Sequence, residues 1–100
     1  MKAYRFLAEA DAEFREQTRY YDEQVSGLGD KFIADVENII TQIRRHPESG
    51  ARVSRNLRKR VLTVSSHSIL YIDAADAVII VAVAPHKRRP GYWRDRLANT

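Results

Sequence analysis

Residues Val78-Ile79-Ile80-Val81-Ala82-Val83-Ala84 are apolar without interruption. A strand with one wet face alternates in polarity, so an unbroken run predicts a strand covered on both sides and placed centrally in its sheet. The run is far short of the ~20 residues that cross a bilayer, and no other stretch of the chain approaches that length. It leads at once into His86-Lys87-Arg88-Arg89-Pro90-Gly91-Tyr92-Trp93-Arg94-Asp95-Arg96, which holds five Lys/Arg against one Asp, together with the only Trp. A rigid strand ending in guanidinium groups and aromatic rings predicts a platform for an anionic partner. The plain alternative is a solubilising basic tail.

The rest of the chain divides into elements that such a strand would organise. Ala3-Tyr4-Arg5-Phe6-Leu7 alternates and predicts an opening strand. From Glu9 the period changes to helical. Phe14, Thr18, Tyr21, Val25 and Leu28 share one stripe, while Glu13, Glu16, Arg19 and Glu23 belong to a solvated face. Ser26-Gly27-Leu28-Gly29 ends that helix, and Asp30 or its neighbour caps a second. Phe32, Val36, Ile39, Ile40 and Ile43 form a wider stripe on it. Arg44, Arg45 and His46 fall in its last turn, where positive charge suits the helix dipole, and Pro47 stops it.

After Pro47-Glu48-Ser49-Gly50 the sequence favours strands: a short edge piece at 53–56, then Leu57 to Val64 with a basic start, and then Ser68 to Ile72. Ser65-Ser66-His67 reads as a turn, and Asp73-Ala74-Ala75-Asp76 as the loop of a hairpin that returns along Val78 to Ala84. The expected fold is a single α+β domain over residues 1–100, in the order β-α-α-β-β-β. An antiparallel helical hairpin packs on one face of a small, mainly antiparallel sheet of three to four strands. The helices cover one face of that sheet; the other has no evident cover, which marks a partner site.

Charge sharpens the partner's chemistry. Residues 1–50 carry seven Lys/Arg and ten Asp/Glu, whereas residues 51–100 carry ten and three, so the basic face belongs to the second half. It suits nucleic acid or an acidic protein segment. The absence of cysteine excludes disulfides and thiol chemistry. With no apolar leader at the N-terminus either, a cytoplasmic location is expected. His46, His67 and His86 are too far apart for metal-ligand spacing, so neither a metal nor another cofactor is expected.

Several features in order resemble the RelE/ParE superfamily of bacterial toxins, and its ParE-like, plasmid-stabilisation branch in particular. They are the opening strand, the acidic first helix with Tyr20-Tyr21, and the turn Ile43-Arg44-Arg45-His46-Pro47-Glu48-Ser49-Gly50. Leu57-Arg58, Ile69-Leu70-Tyr71 and the ending from Val83 to Trp93 complete the set. The resemblance implies a toxin of a type II toxin–antitoxin module, silenced by a cognate antitoxin, ParD-like or other. ParE-like members poison DNA gyrase; RelE-like members cut messenger RNA on the ribosome. A non-toxic basic module that binds nucleic acid or an antitoxin is the third reading.

Each reading assigns residues. Target binding falls to Arg58 and Arg60 on the basic strand and to Lys87, Arg88, Arg89, Tyr92, Trp93 and Arg94 near the end. Antitoxin binding falls to Arg55, Arg58, Arg60, Tyr71 and Trp93. RNA cleavage would draw on Arg58, Arg60, His86, Arg88 and Tyr92, since it needs a base, an acid and positive charge on the phosphate. His86 is the group whose ordinary pKa suits proton transfer, with a hydrogen-bonded structural role as its alternative. Lys59 alternates with Arg58 and Arg60 and so faces away from both. A carboxylate base on that strand is absent, which favours gyrase inhibition over RNA cleavage.

Overall fold

The computed structural model describes residues 1–98. In chain order they form β1 (Ala3–Phe6), α1 (Ala8–Gln24), α2 (Leu28–Arg45), a 3-10 turn (Pro47–Ser49), β2 (Ala51–Arg52), β3 (Leu57–Val61), β4 (His67–Asp73), β5 (Ala77–Pro85) and α3 (Arg94–Leu97). The strands make one sheet in the order β1-β5-β4-β3-β2. Only β1 runs parallel to its neighbour, β5; the other pairs are antiparallel. The unbroken apolar run is thus a central strand, as its composition requires.

The sheet has five strands rather than three or four. The helical hairpin carries the chain from β1 at one edge of the sheet to β2, a two-residue strand, at the other, and β5 later returns beside β1. That edge piece lies at Ala51–Arg52, before the 53–56 stretch where the sequence suggested it. β3 also ends at Val61, earlier than expected. The reason is Asp35 on α2. Its buried carboxylate accepts the backbone N–H groups of Thr63, Val64 and Ser65 at 3.1, 3.0 and 2.8 Å, folding residues 63–65 into a loop. Burial alone would raise the pKa of Asp35, but these N–H groups outweigh it and hold the carboxyl below its ordinary value.

On the helix side, Phe32, Val36, Ile39, Ile40 and Ile43 are all buried against Ile69, Tyr71, Val78 and Ile80. α1 contributes less than its sequence stripe suggested. Ala10 is buried and Phe14 and Tyr21 are partly so, but Val25 lies past the helix end and is exposed. Nor does Asp30 cap α2. The N-cap is Gly27, at φ +87°, a left-handed geometry that favours glycine. The next free donor, Gly29 N–H, goes to Asp22 of α1 at 2.8 Å.

His67 is the first residue of β4 rather than part of a turn, and it is buried between the rings of Phe32 and Tyr21. Neither of its ring nitrogens has a hydrogen-bond partner among the described residues. Burial, helped by the nearby His86, pushes its pKa down to about 4, so the ring is neutral at pH 7.

Candidate functional site: a basic arm held across the sheet

The face of the sheet opposite the helices carries Leu57, Leu70, Ala82 and Ala84, with Val81 brought into the same cluster by a bulge in the β4–β5 register. Its cover is the chain's own C-terminal arm: Tyr92, Trp93 and Leu97 pack on that cluster. The part of the arm described is short. His86 to Gly91 turn away from β5, Gly91 takes φ +84°, and α3 is a single helical turn.

What holds the arm in place is a residue the sequence pattern assigned to the solvated face of α1. Glu13 accepts the Tyr92 hydroxyl at 2.6 Å and both terminal nitrogens of Arg96, at 2.8 and 2.9 Å. Its Oε1 also accepts the backbone N–H of Val83 at 3.1 Å, while Arg96 donates to the Val81 carbonyl at 3.0 Å. The Glu13 and Arg96 side chains are only 16% and 12% exposed, so this pair works far from the screening that weakens surface bridges. Arg88 then lies over the Tyr92 ring at 3.8 Å, with a nitrogen 3.8 Å from Glu13. Burial and the Glu13 hydrogen bond both raise the pKa of Tyr92, and the bond to Glu13 likewise keeps Arg96 charged.

No local pattern in the sequence marks Glu13, because its partners lie 70 to 83 residues away. The one hint is position. It follows buried Ala10 by three residues and precedes Phe14 by one, on the flank of the α1 stripe that turns toward β5.

Between arm and sheet lies a cavity of about 350 Å³ lined by Lys59, Ser68, His86, Arg88, Pro90 and Trp93, among others. His86 Nε2 is 2.9 Å from the hydroxyl of buried Ser68, so the imidazole is tied to the strand beneath it. Lys87, Arg89 and Arg94 are exposed and form no ion pair among the described residues. The arm therefore offers three free cations in addition to Arg88.

The sheet separates this set from the other basic residues. Lys59 lies on the arm side, as its alternation with Arg58 and Arg60 requires. Those two arginines lie on the helix side. Arg58 donates to the carbonyls of Glu48 and Gly50 at 3.1 and 2.9 Å; Arg60 reaches Ser49 and Gln42 at 2.9 and 2.5 Å. The expected single surface from residues 58–60 to the arm is thus divided between two faces. Tyr71, expected at an antitoxin interface, is fully buried, with its hydroxyl donating to Pro47 O at 2.7 Å and accepting from Gly50 N at 2.9 Å. Arg55 is exposed near the β2 edge, and its carbonyl accepts from Arg52. Among the described residues no group of three His, Cys, Asp or Glu is placed to hold a metal ion, and no helix is long and apolar enough to cross a membrane.

This layout defines a small α+β domain in which a parallel first strand and a helical hairpin back a basic, arm-bearing sheet. The same fold occurs in a solved structure titled as the chromosomal ParDE TA system from P. aeruginosa. The match has a TM-score of 0.65 at 15% identity and covers 85% of this chain and 96% of that one. No curated protein matches the sequence. The sequence model of the family described as "ParE toxin of type II toxin-antitoxin system, parDE" matches residues 4–90. The chain belongs to the ParE toxin family. Glu13 and His86 to Pro90 lie inside the matched span, whereas Tyr92, Trp93 and Arg96 lie beyond it.

Proposed function

We propose that this protein is the toxin of a type II toxin–antitoxin module, that it acts in the cytoplasm by inhibiting DNA gyrase, and that a cognate antitoxin neutralises it. Membership of the ParE family carries the reading, and the geometry of the arm supports it over RNA cleavage. Cleavage through a 2′-hydroxyl needs its acid, its base and its phosphate clamp around one atom. Here Arg58 and Arg60 point to the helix side, whereas His86 and Arg88 are on the other face. The Tyr92 hydroxyl is committed to Glu13, with its pKa raised, so it is a poor proton donor at pH 7. Of the three second-half carboxylates, Asp73 ends β4 and pairs with Lys2, Asp76 lies in the β4–β5 turn, and Asp95 is exposed on α3.

Target binding then belongs to the arm: Lys87, Arg88, Arg89 and Arg94 as cations, with Trp93 and Tyr92 as the apolar support. Arg55, with the outward parts of Arg58 and Arg60, suits an acidic antitoxin segment. The exposed Val64, just past the end of β3, would give such a segment an apolar anchor. The test is expression with and without the protein encoded beside it, paired with a supercoiling assay on purified gyrase. Growth arrest, relief by the neighbour, and loss of supercoiling are expected. The triple variant K87A/R89A/R94A should lose inhibition while keeping its melting temperature. RNA cut in translating extracts, with gyrase unaffected, would overturn the proposal.

A further inference from the structure

We infer that Glu13, on α1, is the positioning residue of the target-binding arm: it touches no target itself but fixes where Arg88, Tyr92 and Trp93 stand. The inference rests on the arm being the inhibitory surface. Three observations carry it. First, one carboxylate gathers four donors from two separate parts of the chain, namely Tyr92, the two nitrogens of Arg96 and the Val83 N–H. Second, Glu13 is mostly buried, so it is withdrawn from any partner that approaches the exposed cations. Third, Arg88, whose guanidinium lies over the Tyr92 ring, also approaches Glu13, so the Arg88 wall of the cavity takes its position from the carboxylate.

Among the described residues, the arm's other polar ties to the sheet lie at its root, where His86 meets Ser66 and Ser68. α3 is four residues long, too short to be stable as a helix without tertiary support. Its apolar contacts come from Tyr92, Trp93 and Leu97. Removing Glu13 leaves Arg96 as a buried, unpaired charge, and the arm escapes that penalty by leaving the sheet. A toxin whose arm is docked only part of the time binds its target in proportion to the docked fraction. The expected signature is therefore a shift in the concentration needed for inhibition, with the maximal inhibition unchanged.

Trp93 is the only tryptophan, so its fluorescence reports arm docking directly. In Glu13→Ala the emission should move to the red, and trypsin should cut at Lys87 to Arg94 while the remaining domain stays intact by circular dichroism. The toxin concentration for half-inhibition of gyrase should rise about tenfold or more, with complete inhibition still reached at saturation. Glu13→Asp keeps the acceptors and should recover part of both signals. If Glu13→Ala fails to fold, Tyr92→Phe removes a single donor and should shift emission and half-inhibition together by a smaller factor. Lost inhibition with unchanged Trp93 emission would give Glu13 a direct role; a freed arm with unchanged inhibition would make the arm's position irrelevant. Either result overturns the inference. Growth arrest is scored in parallel. A wild type that arrests growth but spares gyrase defeats the gyrase reading alone and leaves Glu13 judged on growth arrest.

Discussion

Between pH 7 and pH 5 acid should destabilise this protein mainly through His67. The imidazole lies between Phe32 and Tyr21 with neither nitrogen hydrogen-bonded among the described residues, and its pKa is pushed down to about 4 from an ordinary 6.5. Around it, His86 and Lys87 oppose a positive charge, while Glu13 and Asp35 favour one more weakly than burial opposes it. A histidine whose folded pKa is depressed is neutral in the native state, whereas the unfolded chain takes up the proton below about pH 6.5. Its contribution is therefore present above pH 6.5 and is lost as pH falls toward the folded value. The difference of about 2.5 pKa units at 1.36 kcal/mol each sets a ceiling of about 3 kcal/mol. Roughly 2 kcal/mol of it is lost by pH 5 and nearly all by pH 4.

Urea unfolding between pH 7.5 and pH 4, followed by circular dichroism, measures this directly. With a slope of about 1–1.5 kcal/mol per molar, the midpoint should fall by roughly 1.3–2 M between pH 7 and pH 5. His67→Leu should flatten the profile over that window. It should also be more stable than wild type at pH 7 by about 1 kcal/mol, because it removes two buried nitrogens without partners. An unchanged pH profile in His67→Leu would refute the reasoning, since the proton uptake would then reside elsewhere.

Other substitutions test the remaining contacts. Asp35→Ala leaves the N–H groups of residues 63–65 without their acceptor and should cost about 2–3 kcal/mol by chemical denaturation, with Asp35→Asn recovering part of it. Tyr71→Phe removes two hydrogen bonds that fix the turn after α2 and should cost about 1–2 kcal/mol. Gly50→Ala should be worse in thermal melts, because its methyl group would meet the Tyr71 hydroxyl at 2.5 Å. Lys59→Ala should weaken growth arrest more than Arg60→Ala does, since only Lys59 lines the cavity beneath the arm.

The elements that were legible from the sequence are those whose burial repeats with the period of the backbone. β5 is apolar at every position, and the α2 stripe recurs with helical spacing, so each declares its environment residue by residue. Lys59 was likewise assignable to its face by alternation alone. The residues misread or passed over are single polar groups whose surroundings come from elsewhere in the chain. His67 follows two serines and resembles a turn, yet Phe32 and Tyr21 close over it. Asp35 sits within a helix and shows its role only against the backbone of residues 63–65. The position of Arg58 and Arg60 was implied by alternation, but the face that the arm occupies was not.

Glu13 shows most clearly why the arm's location was beyond sequence reasoning. β1 is four residues long and pairs with β5 only from Ala77 to Ile80, with Leu7 N–H reaching Ile80 O at 2.9 Å. Beyond that point β1 has turned into α1, and the outer edge of β5 is left with backbone groups that no strand reaches. Buried groups of this kind must be paired. Arg96 donates to Val81 O, and Glu13 accepts from Val83 N–H, so an ion pair occupies the place where a longer β1 would have continued the ladder. The pairing needs one residue from α1 and one from the arm, which fixes the arm to the sheet along the part of β5 that β1 does not cover. Tyr92 and Trp93 are consequently packed over Leu70 and Ala84 with Arg88 beside them, and this separates the arm physically from a solubilising tail of the same composition.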